Sequence, residues 1–261
     1  PILRVDEFPI TDGSTACIPL IAQIMADTTG MDLETAQSAV NTNTTAQAWR
    51  NLGLYGGNSG DAVKLIIAYE APESVKEELK ADGDPLEQKA IGRDALVFIV
   101  NEDNPVQALS QQQLRDIYAG KITNWKDVGG DDGEIVLVGR EAGSGTRDGF
   151  ESIVDVKDSC KYAQELTATG AVISAVEANP LAIGYASLSA VGDTVAMVTV
   201  EGVECSEDTV KDGSYKIQRP FVFVTNKSAA LSEQAQAFVD FATSKDAAEL
   251  IRTAGAVPVN E

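Results

Sequence analysis

Short apolar runs of strand length alternate along the chain with stretches that have helical periodicity. Buried strands are predicted at 62–69 and 95–100, whose continuous apolar runs LIIAY and ALVFIV are typical of strands buried on both faces of a sheet. A further strand is predicted at residues 4–10. Apolar side chains recur every three or four residues at 73–82 and 110–119, which predicts amphipathic helices. The alternation of the two patterns predicts an α/β fold.

Three segments place serine or threonine where a helix is expected to begin directly after a loop. They are Ser14–Thr15, Thr44–Thr45 and Ser144–Thr146. Both residue types are common helix N-caps, so a single such start has an ordinary structural explanation. Three starts in one chain, two of them beside glycines, favour an anion site, because helix starts offer unpaired N–H groups and the positive end of the helix dipole.

The segment GREAGSGTRDG combines an arginine with a glycine-rich turn. Arg140 ends a predicted strand, and its planar guanidinium suits two oxygens of a tetrahedral anion. Gly143 and Gly145 allow the backbone to approach a ligand closely, and Ser144 and Thr146 add hydroxyl donors. The segment lacks the order of a Walker A loop and matches a dinucleotide loop poorly, so a nucleotide is not favoured. A salt-bridged surface arginine is the structural alternative.

Composition excludes several classes of function. The 40 acidic and 20 basic residues give a formal net charge of −20, which argues against nucleic acids and anionic membranes as partners. The chain contains no histidine, which removes the commonest general base and metal ligand and excludes Ser-His-Asp and Cys-His catalysis. We therefore expect no metal and no cofactor.

The cysteines and the N-terminus leave alternatives open. Cys160 and Cys205 lie in polar sequence and could form a disulfide, with Cys17 left as a free thiol in a helix; three reduced cysteines are the other interpretation. The first ten residues lack the features of a signal peptide, and no apolar run is long enough to span a membrane. The chain is either intracellular or a mature form whose export segment has been removed.

The sequence resembles the phosphate-binding proteins of the phosphate-specific ABC importers over nearly its whole length. The most specific motif is ALVFIVNEDNPVQALSQQQLRDIYAGKITNWKDVGG at 95–130. The other motifs are DGSTACIPL (12–20), NTTAQAW (43–49), IIAYEAPE (66–73), GREAGSGTRDGFE (139–151), NPLAIGYASLS (179–189) and SYKIQRPFVFVTN (214–226).

The resemblance implies a type II periplasmic-binding-protein fold with two lobes, each a mixed sheet flanked by helices, joined by a two-strand hinge and closing over one anion. Lobe one is expected to comprise residues 1–92 and 224–261, and lobe two residues 93–223. Helix N-termini from both lobes would point into the cleft. This agrees with the three helix starts inferred above.

The resemblance also implies a ligand set. The expected phosphate-binding groups are Ser14, Thr15, the Ala16 amide, Thr45, Glu70, Arg140, Ser144, Gly145 and Thr146. Arg147 is expected to point along its helix and to balance Asp148 or Glu151. Some members of the family have an aspartate two residues after the arginine, where this chain has Ala142, so Glu141 or Asp148 would have to orient Arg140.

Glu70 carries the expected selectivity. A carboxylate beside a bound anion is tolerated only when a proton lies between them, which a protonated phosphate supplies and sulfate does not. Selectivity would then come from rejection as well as attraction. The structural alternative for Glu70 is a solvated or helix-capping carboxylate.

The resulting expectation is an extracytoplasmic, monomeric solute-binding protein that delivers phosphate to the membrane subunits of an ABC permease. A lipid anchor upstream of residue 1 is compatible with it. The alternatives are a binding protein for sulfate or molybdate and a phosphate sensor without transport. An enzyme is not expected.

Overall fold

The computed structural model describes residues 2–14, 17–54, 62–83, 85–142 and 144–259. The chain forms two compact units. Unit 1 comprises residues 1–93 and 220–261, and unit 2 comprises residues 94–219. The family resemblance put the lobe boundaries after residues 92 and 223. The chain passes from one unit to the other inside one long strand and near the start of another.

The elements alternate between helix and strand, as the apolar pattern predicts. The helices are α1 (Ile18–Thr29), α2 (Leu33–Ala39), α3 (Thr45–Gly53), α4 (Glu73–Ala81), α5 (Gln111–Tyr118), α6 (Gly145–Val154), α7 (Thr169–Glu177), α8 (Glu207–Lys211), α9 (Glu233–Ala242) and α10 (Ala248–Thr253). The strands are β1 (Thr11–Gly13), β2 (Leu65–Tyr69), β3 (Leu86–Val100), β4 (Ala108–Leu109), β5 (Val136–Arg140), β6 (Gln164–Leu166), β7 (Ala182–Ser187), β8 (Ala196–Met197), β9 (Thr199–Val200), β10 (Gln218–Asn226) and β11 (Val257–Pro258).

In unit 1, β2 lies between β1 and β10. It pairs in parallel with β1, with Gly13 opposite Ile67, and antiparallel with β10. All five residues of β2 are buried, as the continuous apolar run predicts. Leu65, Ile67 and Tyr69 pack against α1, α9 and α10, whereas the alternate residues pack against α3 and α4. The sheet of unit 1 is therefore covered by helices on both faces.

In unit 2, β7 lies between β3 and β5. It is antiparallel to β3 and parallel to β5, and β6 extends the sheet in parallel beyond β5. Parallel strands β5, β6 and β7 therefore present their carboxyl ends at one edge of the sheet. Aromatic rings fill the core beneath α6: Phe150 stacks on Tyr185 with ring centroids 4.2 Å apart, and Tyr118 meets Phe150 edge-on at 4.6 Å.

The strand predicted at residues 4–10 is wrong. Val5–Glu7 forms a short 3₁₀ helix, and the Glu7 carboxylate accepts the backbone N–H of Arg4 at 2.8 Å. Residues three apart in a strand are separated by about 10 Å, so this bond requires a turn. The first strand begins only after Pro9, at Thr11.

The proposed disulfide is also wrong. Cys17, Cys160 and Cys205 are all free. Cys205 is buried, and burial raises the pKa of its thiol to about 12. Cys160 instead points its sulfur at the carbonyl oxygen of Val156, 3.6 Å away. All three thiols are therefore expected to be reduced.

Across the described residues, no helix combines the length and the apolar character that crossing a bilayer requires.

Candidate functional site

The first group of predicted residues lies where two parallel strands of unit 1 end. Ser14 directly follows β1, and Glu70 directly follows β2. Because β1 and β2 are parallel neighbours, these residues follow the strands at the same edge of the sheet. The Ser14 amide continues the pairing, donating to the carbonyl oxygen of Ile67 at 3.3 Å. Glu70 is exposed there.

The hydroxyl of Ser14 joins the end of β2 to the start of α3. Ser14 is fully buried, and its Oγ accepts the backbone N–H of Tyr69 at 3.1 Å. The same Oγ lies 2.6 Å from Oγ1 of Thr45, the first residue of α3. Thr44 takes the N-cap role, accepting the Gln47 amide at 3.3 Å, so the hydroxyl of Thr45 is not used as a cap. Two of the predicted ligand residues therefore form one hydroxyl pair.

Of the two cap-type residues predicted at the start of α1, Ser14 is not the N-cap. α1 begins at Ile18, after Cys17 in the N-cap position, and Ser14 lies one turn upstream. Its carbonyl oxygen accepts the Cys17 amide at 2.8 Å, while its hydroxyl is used by Tyr69 and Thr45. The predicted ligands Thr15 and Ala16 lie outside the described residues.

Asp12 organises this group and was missed by the sequence analysis. Its carboxylate is buried and accepts the backbone N–H and the side-chain amide of Asn43, at 2.9 and 2.8 Å. It also accepts the side-chain amide of Asn51 at 2.8 Å. Asn43 immediately precedes the Thr44–Thr45 helix start, so Asp12 fixes α3 beside β1. The DGST motif contains Asp12, but no local signal shows that its partners lie 31 and 39 residues away.

The second group of predicted residues surrounds the start of α6 in unit 2. Arg140 is the last residue of β5, and Ser144 is the N-cap of α6, accepting the Arg147 amide at 3.3 Å. Gly145 and Thr146 form the first turn of the helix, and both Ser144 and Thr146 are buried. The strand–loop–helix arrangement is the one that the sequence predicts. Gly143 lies outside the described residues.

Neighbouring side chains hold the guanidinium of Arg140. Its Nε and Nη2 donate to the two carboxylate oxygens of Glu141 at 3.0 and 3.1 Å, and Nη1 donates to the hydroxyl of Thr169 at 2.9 Å. Of the two replacements considered for the family's aspartate, Glu141 therefore makes the contact. The hydrogen bond from Arg140 holds the pKa of Glu141 below its usual value. The Arg140 side chain is 15 % exposed and that of Glu141 is 36 % exposed, so the arginine is the better shielded partner.

The arrangement in unit 2 suits an oxyanion rather than a metal ion. Unit 2 offers a guanidinium, hydroxyls and the backbone N–H groups of a helix start, all of them donors to negatively charged oxygen. Within the described part of the chain, no group of three or more cysteine and carboxylate side chains could hold a metal ion.

A family model described as a PBP superfamily domain matches residues 19–246 of the sequence. The chain belongs to the PBP superfamily. Among curated relatives, the phosphate-binding protein PstS 2 of Streptococcus pneumoniae serotype 4 is 39 % identical over 128 residues, which is 46 % of this chain and 43 % of that protein. The chain spans about half the length of the first curated relatives that it matches.

Two solved structures resemble nearly the entire chain. An ABC-type phosphate transport receptor from Vibrio cholerae has a TM-score of 0.77 at 26 % identity, covering 95 % of this chain and 98 % of that chain. A protein from Clostridium perfringens, described as a phosphate ABC transporter substrate-binding protein and solved with bound phosphate, has a TM-score of 0.70 at 32 % identity. That similarity covers 96 % of this chain and 98 % of that chain. The predicted α/β fold of the binding-protein type is confirmed.

Proposed function

We propose that this protein is an extracytoplasmic solute-binding protein that captures inorganic phosphate and delivers it to an ABC importer. The observation that carries the proposal is the strand–loop–helix segment at the start of α6, in which Arg140 ends β5, Ser144 caps α6 and Thr146 lies in its first turn. The similarity to a phosphate-bound protein over almost the full length of both chains supports the same ligand.

The donors of unit 2 have the chemistry that phosphate requires. The Nε–Nη2 edge of the Arg140 guanidinium already faces Glu141, so Arg140 offers phosphate its charge and its remaining Nη hydrogens. The N-terminus of α6 adds N–H groups and a partial positive charge. Both effects act at short range, so they do not depend on the overall charge of the protein, which is −20. Unfavourable long-range repulsion slows encounter at low salt and is screened within about 8 Å at physiological ionic strength.

The hydroxyl pair of unit 1 supplies a further donor. Ser14 Oγ already accepts the Tyr69 amide, so its own proton is available to Thr45, whose proton is then available to a ligand oxygen. With the hydroxyl protons in this order, Thr45 is proposed as the phosphate ligand and Ser14 as its support. Thr15 and the Ala16 amide are proposed as ligands on the family resemblance alone.

Glu70 is proposed to distinguish phosphate from sulfate. A protonated phosphate can donate a hydrogen bond to this carboxylate, whereas sulfate at neutral pH has no proton and is repelled. Both half-sites are proposed to bind the same ion, as the family resemblance implies. The role is binding and delivery rather than catalysis.

Isothermal titration calorimetry at pH 7.5 with phosphate and with sulfate tests the proposal. We expect saturable binding of phosphate and at least a hundredfold weaker binding of sulfate. Arg140→Ala should weaken phosphate binding strongly, whereas Arg115→Ala, which removes an arginine of the same unit that donates to the carbonyl oxygen of Val154, should not. Equal affinities for both anions would contradict the phosphate assignment, and an absence of binding would contradict the function.

A further inference from the structure

The backbone of Arg140 is held on both sides by side chains rather than by strand pairing alone. Its amide donates to the hydroxyl of Tyr185 at 3.1 Å. Its carbonyl oxygen accepts Nη1 of Arg147 at 3.0 Å. The backbone of β5 pairs with that of β7 at Val136 and Leu137. At Arg140 the contact between the two strands is instead made by the side chain of Tyr185, a residue of β7. These two bonds fix the peptide groups from which the Arg140 side chain projects.

Arg147 is itself held by several groups. Its Nε donates to Glu151 Oε1 at 2.7 Å, and its Nη1 lies 3.2 Å from a carboxylate oxygen of Glu165. The guanidinium also lies over the ring of Tyr162, 4.6 Å from the ring centroid, which adds a cation–π attraction. The Arg147 and Glu151 side chains are only 19 % and 8 % exposed. Of the two expected partners, Glu151 makes the ion pair with Arg147, and the pair is largely buried.

Two tyrosines connect this ion pair to the other side of Arg140. Because the Tyr185 hydroxyl accepts the Arg140 amide, its own proton is available to the Tyr162 hydroxyl, 3.2 Å away. Tyr162 in turn donates to Glu151 at 3.0 Å. Burial raises the pKa of Tyr185 to about 12 and that of Tyr162 further, so both stay protonated donors at physiological pH.

Glycine at position 139 allows the ring of Tyr162 to lie directly on β5. A Cβ atom there would come within 2.3 Å of the ring. The ring therefore touches the backbone one residue before Arg140, and the network encloses this end of the strand.

We propose that Arg147 is a positioning residue for phosphate binding: together with Glu151, Tyr162 and Tyr185 it holds the Arg140 peptide so that the Arg140 guanidinium is presented in one orientation. The inference rests on the proposed function and deepens it. The Nε and Nη1 donors of Arg147 are used by Glu151, Glu165 and the Arg140 carbonyl, so the contact that Arg147 makes with this site runs through the Arg140 peptide.

Phosphate titrations of folded variants test this role. Arg147→Met should weaken phosphate binding about tenfold. Without Arg147 the Arg140 side chain is mobile, and ordering it when phosphate binds costs binding free energy. Arg147→Lys retains the charge but lacks the planar fork that spans three acceptors, so it should remain clearly weaker than the wild type. Arg115→Met is the matched control, since Arg115 also donates to a backbone carbonyl in the same unit, and its phosphate affinity should be unchanged.

Glu151→Gln distinguishes a positioning role of this network from an effect of its net charge on phosphate affinity. Removing a negative charge would strengthen binding of an anion if only the electrostatic potential mattered. Loosening the hold on Arg147 should instead weaken it. Tighter phosphate binding by Glu151→Gln, or full recovery by Arg147→Lys, would overturn the proposal in favour of a general charge effect.

A double-mutant cycle measures whether the effect of Arg147 on phosphate affinity depends on Arg140. A purely structural role of Arg147 would give no such dependence. In an Arg140→Ala background, titrated to millimolar phosphate by ³¹P NMR, Arg147→Met should change the affinity less than twofold. A tenfold loss that persists there would mean that Arg147 acts on phosphate directly. An unchanged affinity in the single variant Arg147→Met, with a lowered melting temperature, would mean that its role is only structural.

The amide resonance of Arg140 tests the same network without any ligand. In ¹H–¹⁵N spectra of the ligand-free protein, Arg147→Met should shift this resonance and speed its hydrogen exchange, and Arg115→Met should leave both unchanged. An unmoved Arg140 amide would overturn the positioning role even if the wild type binds phosphate. A wild type that binds no phosphate would contradict the proposed function alone, because the spectra still report on the network.

Discussion

Replacing Asp12 by asparagine removes the charge that fixes the start of α3 beside β1. The substitution preserves the shape of a side chain that is only 3 % exposed. In the native protein Oδ1 and Oδ2 of Asp12 accept hydrogen bonds from Asn43 and Asn51. In the variant, an NH₂ group replaces one of these two oxygens. Asn51 cannot simply turn over its amide, because its own Oδ1 accepts the side chain of Gln47 at 2.8 Å.

The hydrogen bonds of Asp12 set the expected loss of stability. The substitution converts the surviving bonds from charged to neutral and leaves at least one buried donor facing another donor. Hydrogen bonds to a charged group contribute about 1.5–3 kcal/mol each, and such losses are not additive. We expect Asp12→Asn to lower the free energy of unfolding by about 2–4 kcal/mol, which corresponds to a fall in melting temperature of roughly 4–16 °C.

Thermal unfolding followed by circular dichroism measures this loss. Asp27→Asn is the matched control, since Asp27 is an exposed aspartate of the same unit that accepts one side-chain bond, from Gln23. It should change the free energy of unfolding by no more than about 0.5 kcal/mol. Equal melting temperatures for the two variants would refute the idea that the Asp12 carboxylate organises this part of the fold.

Three further changes have defined outcomes. Glu70→Gln should reduce the preference for phosphate over sulfate more than it reduces phosphate affinity itself, as measured by calorimetry; unchanged selectivity would contradict the proton-sensing role. Gly139→Ala should lower the melting temperature, because its Cβ would lie 2.3 Å from the Tyr162 ring, and a wild-type melting curve would count against that packing. Stability should fall as pH rises from about 9 toward 12. Burial raises the pKa values of Cys205 and Tyr185 to about 12, so the folded chain keeps protons that the unfolded chain releases; constant stability over that range would argue against their burial.

Features that depend on neighbouring residues could be predicted from the sequence. The N-cap roles of Thr44 and Ser144 follow from a local contact between a hydroxyl and an amide three residues later. The burial of β2 follows from its uninterrupted apolar run. Glu141 could be named as a partner of Arg140 because it is adjacent in the chain.

Features that depend on distant residues could not be predicted in the same way. The Ser14 hydroxyl would cap a helix on local grounds, but the parallel pairing of β1 with β2 brings it to the Tyr69 amide, 55 residues away. The cap-like position of Ser14 therefore carried no information about its partner. Arg147 has Glu151 as a local partner, yet its bond to the Arg140 carbonyl depends on how α6 packs on β5.

The role of each unit in binding one anion is the central claim, and a single calorimetric comparison tests it most directly. Phosphate is titrated at pH 7.5 into the wild type, Thr45→Val and Arg140→Ala, one change in each unit. We expect one phosphate per chain for the wild type and a marked loss of affinity in both variants. Two independent phosphate sites, or a variant of either unit that binds as tightly as the wild type, would contradict it.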